Sequence, residues 1–236
     1  MNKSGIEYLD YTWSPIVGCS GFGCEVREVC FAKKTELRKK EVCELCYKFI
    51  PHVHWERMEQ PIHLKKPSII GVDFFSDFYD EEFGEGIRAQ IKMTMEKCPQ
   101  HFFVIFTKQP QNIDPEEQMP ENVLECVSIN RKKDLIRLSL LLANSQAKYK
   151  GASFEPLYEP FCPKKLLKAG FSQLNWVAIG AQTKPTWLPS PEWVSGLMGL
   201  AQSLNIPYWV KSNIKWSIWT KESKNFVGSH YPTKWF

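Results

Sequence analysis

Five of the chain's eight cysteines fall within 28 residues, as Cys19, Cys24, Cys30, Cys43 and Cys46, with the spacing C-x4-C-x5-C-x12-C-x2-C. Thiols packed this densely rarely serve only as core residues. A buried free cysteine behaves as a small hydrophobe and turns up singly, the role expected here for Cys98, Cys126 and Cys162. Three kinds of chemistry would use the cluster: disulfide cross-links, a structural zinc site, or an iron-sulfur centre. Cys43-Glu-Leu-Cys46 is a C-x2-C knuckle, a standard half of a zinc site. It either joins Cys24 and Cys30 in a four-thiolate zinc site or supplies Cys46 to a cluster in place of Cys30. His52 and His54 are near enough in sequence to compete as ligands. Lacking spacing evidence of their own, both are expected to be surface or hydrogen-bonded histidines.

Length and composition weigh against cross-links. A chain of 236 residues buries a sizeable core without covalent staples, and cysteine-dense scaffolds are usually domains too small to do so. Met1-Asn-Lys-Ser-Gly-Ile-Glu7 carries no apolar run behind Lys3, and no stretch of about 18 apolar residues exists to span a membrane. A cytoplasmic protein with no membrane partner is the expectation, and there clustered cysteines bind metal or do redox chemistry more often than they cross-link. The net charge of +4 is unevenly placed: from Arg27 to Lys66 ten basic residues stand against six acidic ones, a surplus of four, so the remainder sums to zero. A basic surface beside the cysteines would attract an anionic partner, nucleic acid being the natural candidate. A solvated helix face, its lysines interleaved with Glu36, Glu41 and Glu44, would have the same composition.

The elements that position these groups lie mostly beyond the cysteines. Apolar runs rich in Val, Ile and Phe predict strands at 13–17, 68–75, 101–106, 123–129, 149–154, 176–180 and 208–210; their lack of alternation suits burial on both faces of a parallel sheet. Between them run helical stripes: Phe83, Ile87, Ile91 and Met95, then Leu135, Leu138, Leu141 and Leu142, then Trp193, Val194, Leu197, Leu200, Ala201 and Leu204, the last behind an N-cap at Ser190 with Pro191 in the first turn. Alternating strands and helices without a Gly/Ser linker predict one α/β domain over 1–236, an incomplete, TIM-like (β/α) barrel of six or seven parallel strands with right-handed crossovers. A Cys-rich basic insertion at 18–66 follows strand one, and an aromatic tail at 211–236, with Trp216, Trp219, Tyr231, Trp235 and Phe236, is expected to close one end.

In βα barrels chemistry gathers at the carboxyl ends of the strands. Each apolar run stops there at polar residues: the Cys19 cluster, Ser76 and Asp77, Thr107 and Lys108, Ser128 and Asn130, Glu155, Gln182 and Thr183, Lys211 and Asn213. Together they outline one polar mouth. Glu155, in Ser153-Phe-Glu-Pro-Leu157, is a lone carboxylate between apolar neighbours before a strand-ending proline; its plainest role is an ion pair with Lys108 or Lys211. Glu155 and Lys211 are the candidate catalytic pair, and Ser76, Asp77, Ser128, Glu155, Gln182 and Asn213 the candidate cofactor-binding groups.

Thr12-Trp-Ser-Pro-Ile-Val-Gly-Cys19, Cys30-Phe-Ala-Lys33, Pro51-His-Val-His-Trp-Glu-Arg57, Phe75-Ser-Asp-Phe78, Phe106-Thr-Lys-Gln-Pro110, Ser153-Phe-Glu-Pro-Leu157 and Ile179-Gly-Ala-Gln-Thr183 resemble the successive blocks of a phage-associated three-cysteine-motif family of uncharacterised function. That family in turn resembles a divergent branch of the radical S-adenosylmethionine (SAM) proteins, near spore photoproduct lyase. The resemblance implies a [4Fe-4S] cluster held by Cys19, Cys24 and Cys30, with SAM on the open iron. The usual spacing in such proteins is C-x3-C-x2-C, whereas the gaps here are four and five.

Two readings follow. In one the chain is a radical SAM-like iron-sulfur enzyme that modifies or repairs a nucleic-acid base, with the 27–66 segment tracking phosphates. In the other it is a zinc-stabilised βα-barrel binding protein without redox chemistry. The candidate substrates are DNA, RNA and a small molecule, and a partner protein is a candidate to complete the site.

Overall fold

The computed structural model describes residues 1–22 and 24–214, so the expected closure of a barrel end by Trp216, Trp219, Tyr231, Trp235 and Phe236 lies outside the described residues. An eight-stranded sheet organises the chain, in the order β1 (Asn2–Lys3), β2 (Tyr11–Trp13), β5 (Ile69–Val72), β6 (Phe102–Thr107), β7 (Val123–Ser128), β8 (Tyr149–Phe154), β9 (Trp176–Ile179), β10 (Tyr208–Val210). All neighbours pair in parallel except β1 with β2. Seven parallel strands in sequential order are the topology of an open or incomplete α/β barrel, as the alternating pattern predicts.

The predicted first strand, 13–17, is divided. Pro15 has no N–H to give a ladder, and the chain leaves the large sheet after Trp13; β3 (Ile16–Val17) pairs instead with β4 (His52–Val53) in a separate two-stranded ladder. The Cys-rich insertion therefore leaves and re-enters through one short hairpin base. It holds two short helices, α1 (Phe31–Glu36) and α2 (Glu44–Lys48).

Helices α3 (Glu85–Glu96), α4 (Ile136–Asn144), α5 (Pro163–Lys168) and α6 (Pro191–Ser203) form the β5–β6, β7–β8, β8–β9 and β9–β10 crossovers, while β6 passes to β7 through a single 3-10 turn at Pro110–Asn112. Their buried residues, among them Ile91 and Met95, Leu138 and Leu141, Val194, Leu197 and Ala201, belong to one core with Phe103, Ile105, Val127 and Phe154. Residues of opposite parity, Phe102, Val104, Leu124, Cys126, Trp176 and Ala178, form a second cluster on the other sheet face. Tyr8 packs its ring against Phe106, Trp176 and Trp209 there, and Ser212 N–H donates to Glu7 at 3.0 Å, so the N-terminal segment reaches the far edge of the sheet. All eight cysteines are free; Cys98 and Cys126 are buried as expected, but Cys162 is exposed, because it precedes Pro163 as the N-cap residue of α5.

Candidate functional site

Side chains alternate along a strand, so two-residue steps stay on one face. Continuing the inner-cluster parity past each strand end leads from Cys126 to Ser128, from Ser153 to Glu155, from Ala178 through Gly180 to Gln182, and from Trp209 to Lys211, and the registers put Cys126 opposite Gly151 and Ser153 opposite Ala178. Of these, Ser128, Ser153, Glu155, Gln182 and Lys211 line one cavity of about 620 Å³ at the carboxyl ends of the parallel strands. Ser76, Asp77 and Asn213 line it too, and so do Cys19, Cys24 and Cys30. Lys108 and Thr183 also line it, so the structure brings most of the residues singled out at strand ends, and the first three cysteines, to one cavity; Thr107 and Asn130 do not line it.

The groups differ in what already occupies them. Lys211 Nζ is ion-paired with Glu155 Oε1, one of the two partners expected for that carboxylate. A Cβ on Gly180 would lie 2.8 Å from Glu155 Cγ and 3.2 Å from Lys211 Cδ, so glycine is what lets the pair lie across the strand end. Asp77 accepts from Thr107 Oγ1 at 2.7 Å and Lys108 N–H at 2.8 Å, tying the loops after β5 and β6 together. Asn213 brackets Ala181, accepting from its N–H at 3.1 Å and donating to its carbonyl at 2.7 Å. Gln182 accepts from Tyr158 Oη and donates to the Pro185 carbonyl at 2.6 Å. Asp73, which the sequence did not single out, is buried at the end of β5 on the cavity; its Oδ1 accepts from Ile16 N–H at 3.3 Å while Oδ2 has no partner among the described residues. Burial pushes its carboxyl well above the usual range, Ile16 N–H opposing and the Asp77 charge adding.

The cysteine loop is held to the barrel at three points. Gly18 N–H donates to the Phe75 carbonyl at 2.9 Å and Ser76 Oγ to the Gly18 carbonyl at 2.5 Å. Gly18 has φ +83°, and a Cβ there would sit 2.6 Å from the Ile50 carbonyl group, so only glycine fits. Ser20 donates through N and Oγ to Asp80 Oδ2, at 3.0 and 2.8 Å. The Glu25 carboxylate accepts two hydrogen bonds from Arg137 Nη2, at 3.0 and 3.1 Å, while Arg137 Nη1 donates to the Ser128 carbonyl at 2.9 Å. The thiol of Cys19 is pushed up to about 12, chiefly by burial; the Gly21 N–H opposes, while Asp80, Cys30 and Cys24 add.

A second cluster lies outside this cavity. Cys43, Cys46, His52 and His54 form a group that could hold a metal ion, with one ligand atom from each all within 4.8 Å of one another. The knuckle's neighbours in this group are His52 and His54, not the Cys24 and Cys30 of the four-thiolate alternative; both rings are hydrogen-bonded, as expected, and their Nε2 atoms also face the knuckle sulfurs. Cys46 is buried in this group and does not line the cavity, so it does not stand in for Cys30. A sequence signal was present, since residues two apart in an extended segment share a face and a C-x2-C knuckle lies six residues before His52.

The basic segment is partly self-neutralised. Lys39 pairs with Glu36 at 2.7 Å and Lys48 with Glu44 at 2.6 Å. Arg27, Lys33, Lys34, Arg38 and Lys40 are exposed. Lys34 and Arg38 line the cavity along with Phe22 and Phe31, which are 66% and 56% exposed despite their apolar rings. Among the described residues no helix is long and apolar enough to cross a membrane.

The family model described as "Protein of unknown function (DUF5131)" matches residues 3–235, and the chain belongs to that family. No curated protein and no solved structure matches it.

Proposed function

We propose that this chain is a radical SAM-like iron-sulfur enzyme that modifies or repairs a nucleic-acid base. The observation that carries the reading is the placement of Cys19, Cys24 and Cys30 on the same cavity as the strand-end groups Ser128, Glu155, Gln182 and Lys211. The donor set fits the two groups such an enzyme uses. Three free thiols on one loop suit a cluster, and about 620 Å³ is within the usual range for a small-molecule site. Asp73 Oδ2, buried and without a partner among the described residues, suits an ammonium such as that of the methionyl end of SAM.

When bound, a [4Fe-4S] cluster and SAM supply the radical chemistry. The chain's own part is to hold and orient. Cys19, Cys24 and Cys30 would be the ligands, fixed by the Gly18, Ser20 and Glu25 anchors. Asp73 would receive the ammonium, and the Ser128 hydroxyl and Glu155 carboxylate would receive ribose or methionyl groups. Lys211 neutralises Glu155 and keeps it oriented. At the rim, Lys34 and Arg38 would meet phosphates while Phe22 and Phe31 offer ring faces to bases, the combination used for unpaired strands.

A second reading is a βα-barrel binding protein whose cysteines hold only zinc; the Cys43, Cys46, His52 and His54 group favours it. Anaerobic reconstitution separates them. The enzyme reading predicts a brown protein with visible absorption that cleaves SAM when reduced; a colourless protein that takes up zinc and no iron would leave the second.

A further inference from the structure

We infer that Cys43, Cys46, His52 and His54 hold a structural zinc ion in a closed Cys2His2 site, separate from the three-cysteine cavity and fastening α2 to the hairpin base from which the cysteine loop starts. The inference does not depend on the enzyme reading. Tetrahedral zinc with Zn–S of about 2.3 Å and Zn–N of about 2.0 Å places neighbouring sulfur and nitrogen ligands about 3.5 Å apart. Here Cys43 Sγ and Cys46 Sγ lie 3.6 and 3.5 Å from His52 Nε2, and Cys46 Sγ lies 3.1 Å from His54 Nε2.

The outer nitrogens explain why the inner ones face a metal. His52 Nδ1 is 2.7 Å from the Ile50 carbonyl and His54 Nδ1 is 2.8 Å from Glu56 Oε1. Both acceptors call for N–H at Nδ1, so in the neutral rings each Nε2 carries a lone pair. Those lone pairs meet at 2.9 Å. Two neutral imidazoles placed so repel unless a cation lies between them, and a carbonyl or carboxylate behind each ring is the support that metal-bound histidines usually have. Cys46 N–H donates to Cys43 Sγ at 3.4 Å, favouring a thiolate there. Two thiolates and two neutral imidazoles neutralise a divalent ion; the two thiol protons go to solvent on binding. Four protein ligands leave no open position, the mark of a structural rather than a catalytic zinc.

The site's place in the fold gives it a task. Val17 pairs with His52 across the β3–β4 ladder, and Gly18 and Cys19 follow directly. Zinc would therefore lock α2 to the strand that starts the cysteine loop, closing a segment that carries few buried apolar residues of its own.

The test counts metals in protein purified anaerobically from zinc- and iron-supplemented cells. About one zinc per chain is expected in the wild type, and the same in a Cys19→Ser, Cys24→Ser, Cys30→Ser variant. Zinc should fall at least tenfold in Cys43→Ser, Cys46→Ser and in His52→Ala, and persist in His54→Cys, which keeps a ligand. If the knuckle variants do not fold, cobalt exchanged into wild-type protein gives the answer: intense d–d bands of a tetrahedral thiolate site support the inference, and weak six-coordinate bands overturn it. Zinc that leaves with the Cys19, Cys24 and Cys30 substitutions but survives those at Cys43 and Cys46 would also overturn it, as would wild-type protein that takes up none.

Discussion

Replacing Arg137 by Met tests how the cysteine loop is fastened. Arg137 and Glu25 have side chains only 8% and 7% exposed, and the substitution removes two hydrogen bonds to Glu25 and one to the Ser128 carbonyl while leaving the Glu25 carboxylate buried. Breaking a buried pair from one side costs about 3–5 kcal/mol, most of it from the charge left behind; Lys133 at 3.5 Å from Glu25 offsets some of this, so about 3 kcal/mol is expected. Removing both charges, as Glu25→Met with Arg137→Met, should cost less than the sum of the single changes. Urea unfolding of the four proteins measures the cycle. Burial opposes ionisation of Glu25, but hydrogen bonding with Asp134, its own backbone N–H and Arg137 hold its carboxyl below the ordinary value. That stability is present above about pH 4.3 and is lost as pH falls through the depressed value. Arg137→Met costing under about 1 kcal/mol, additively with Glu25→Met, would show a pair no stronger than a surface one and refute the anchoring argument.

Gly18→Ala puts a methyl on a left-handed residue with backbone 2.6 Å away, so a loss of at least about 2 kcal/mol is expected in thermal or urea unfolding; an unchanged midpoint would contradict the tight loop entry. Asp73 has a raised folded pKa, so its contribution favours folding at low pH and declines as pH rises from about 3.9 toward the folded value. Asp73→Asn, which suits φ +55°, should therefore gain stability relative to wild type between pH 5 and 8 yet bind SAM more weakly; melting curves across pH and calorimetric titration check both halves. Reversing Lys33, Lys34, Arg38 and Lys40 should weaken binding of single strands about equally for every sequence and flatten the slope of log affinity against log salt by up to about 0.7 per lost phosphate contact; anisotropy titrations showing no change would move the substrate elsewhere.

The barrel was legible because its strands are buried on both faces and end abruptly in polar residues, so Ser128, Glu155, Gln182 and Lys211 could be placed by where each apolar run stops. Glu155 and Lys211 pair as a strand-end carboxylate and cation would. What could not be read was fixed by contacts distant in sequence: Glu25 and Arg137 are 112 residues apart, and nothing local marks either. Asp73 hid inside an apolar run that looked like continuous strand. The divided first strand was marked by Pro15, but the apolar residues on both sides concealed it. His52 and His54 could be named as competing ligands but not assigned, because two histidines give no ligand spacing alone; the hairpin that returns β4 to β3 brings them to the knuckle.

The central claim is that Cys19, Cys24 and Cys30 hold an iron-sulfur cluster in the strand-end cavity. Iron and acid-labile sulfide, counted with the visible spectrum on anaerobically reconstituted wild type and on Cys19→Ala, Cys24→Ala, Cys30→Ala, test it most directly. The account predicts about four of each per chain in the wild type, with brown absorption that reduction bleaches, and neither in the triple variant. A wild type that stays colourless and iron-free, or a triple variant that retains its iron, would contradict it.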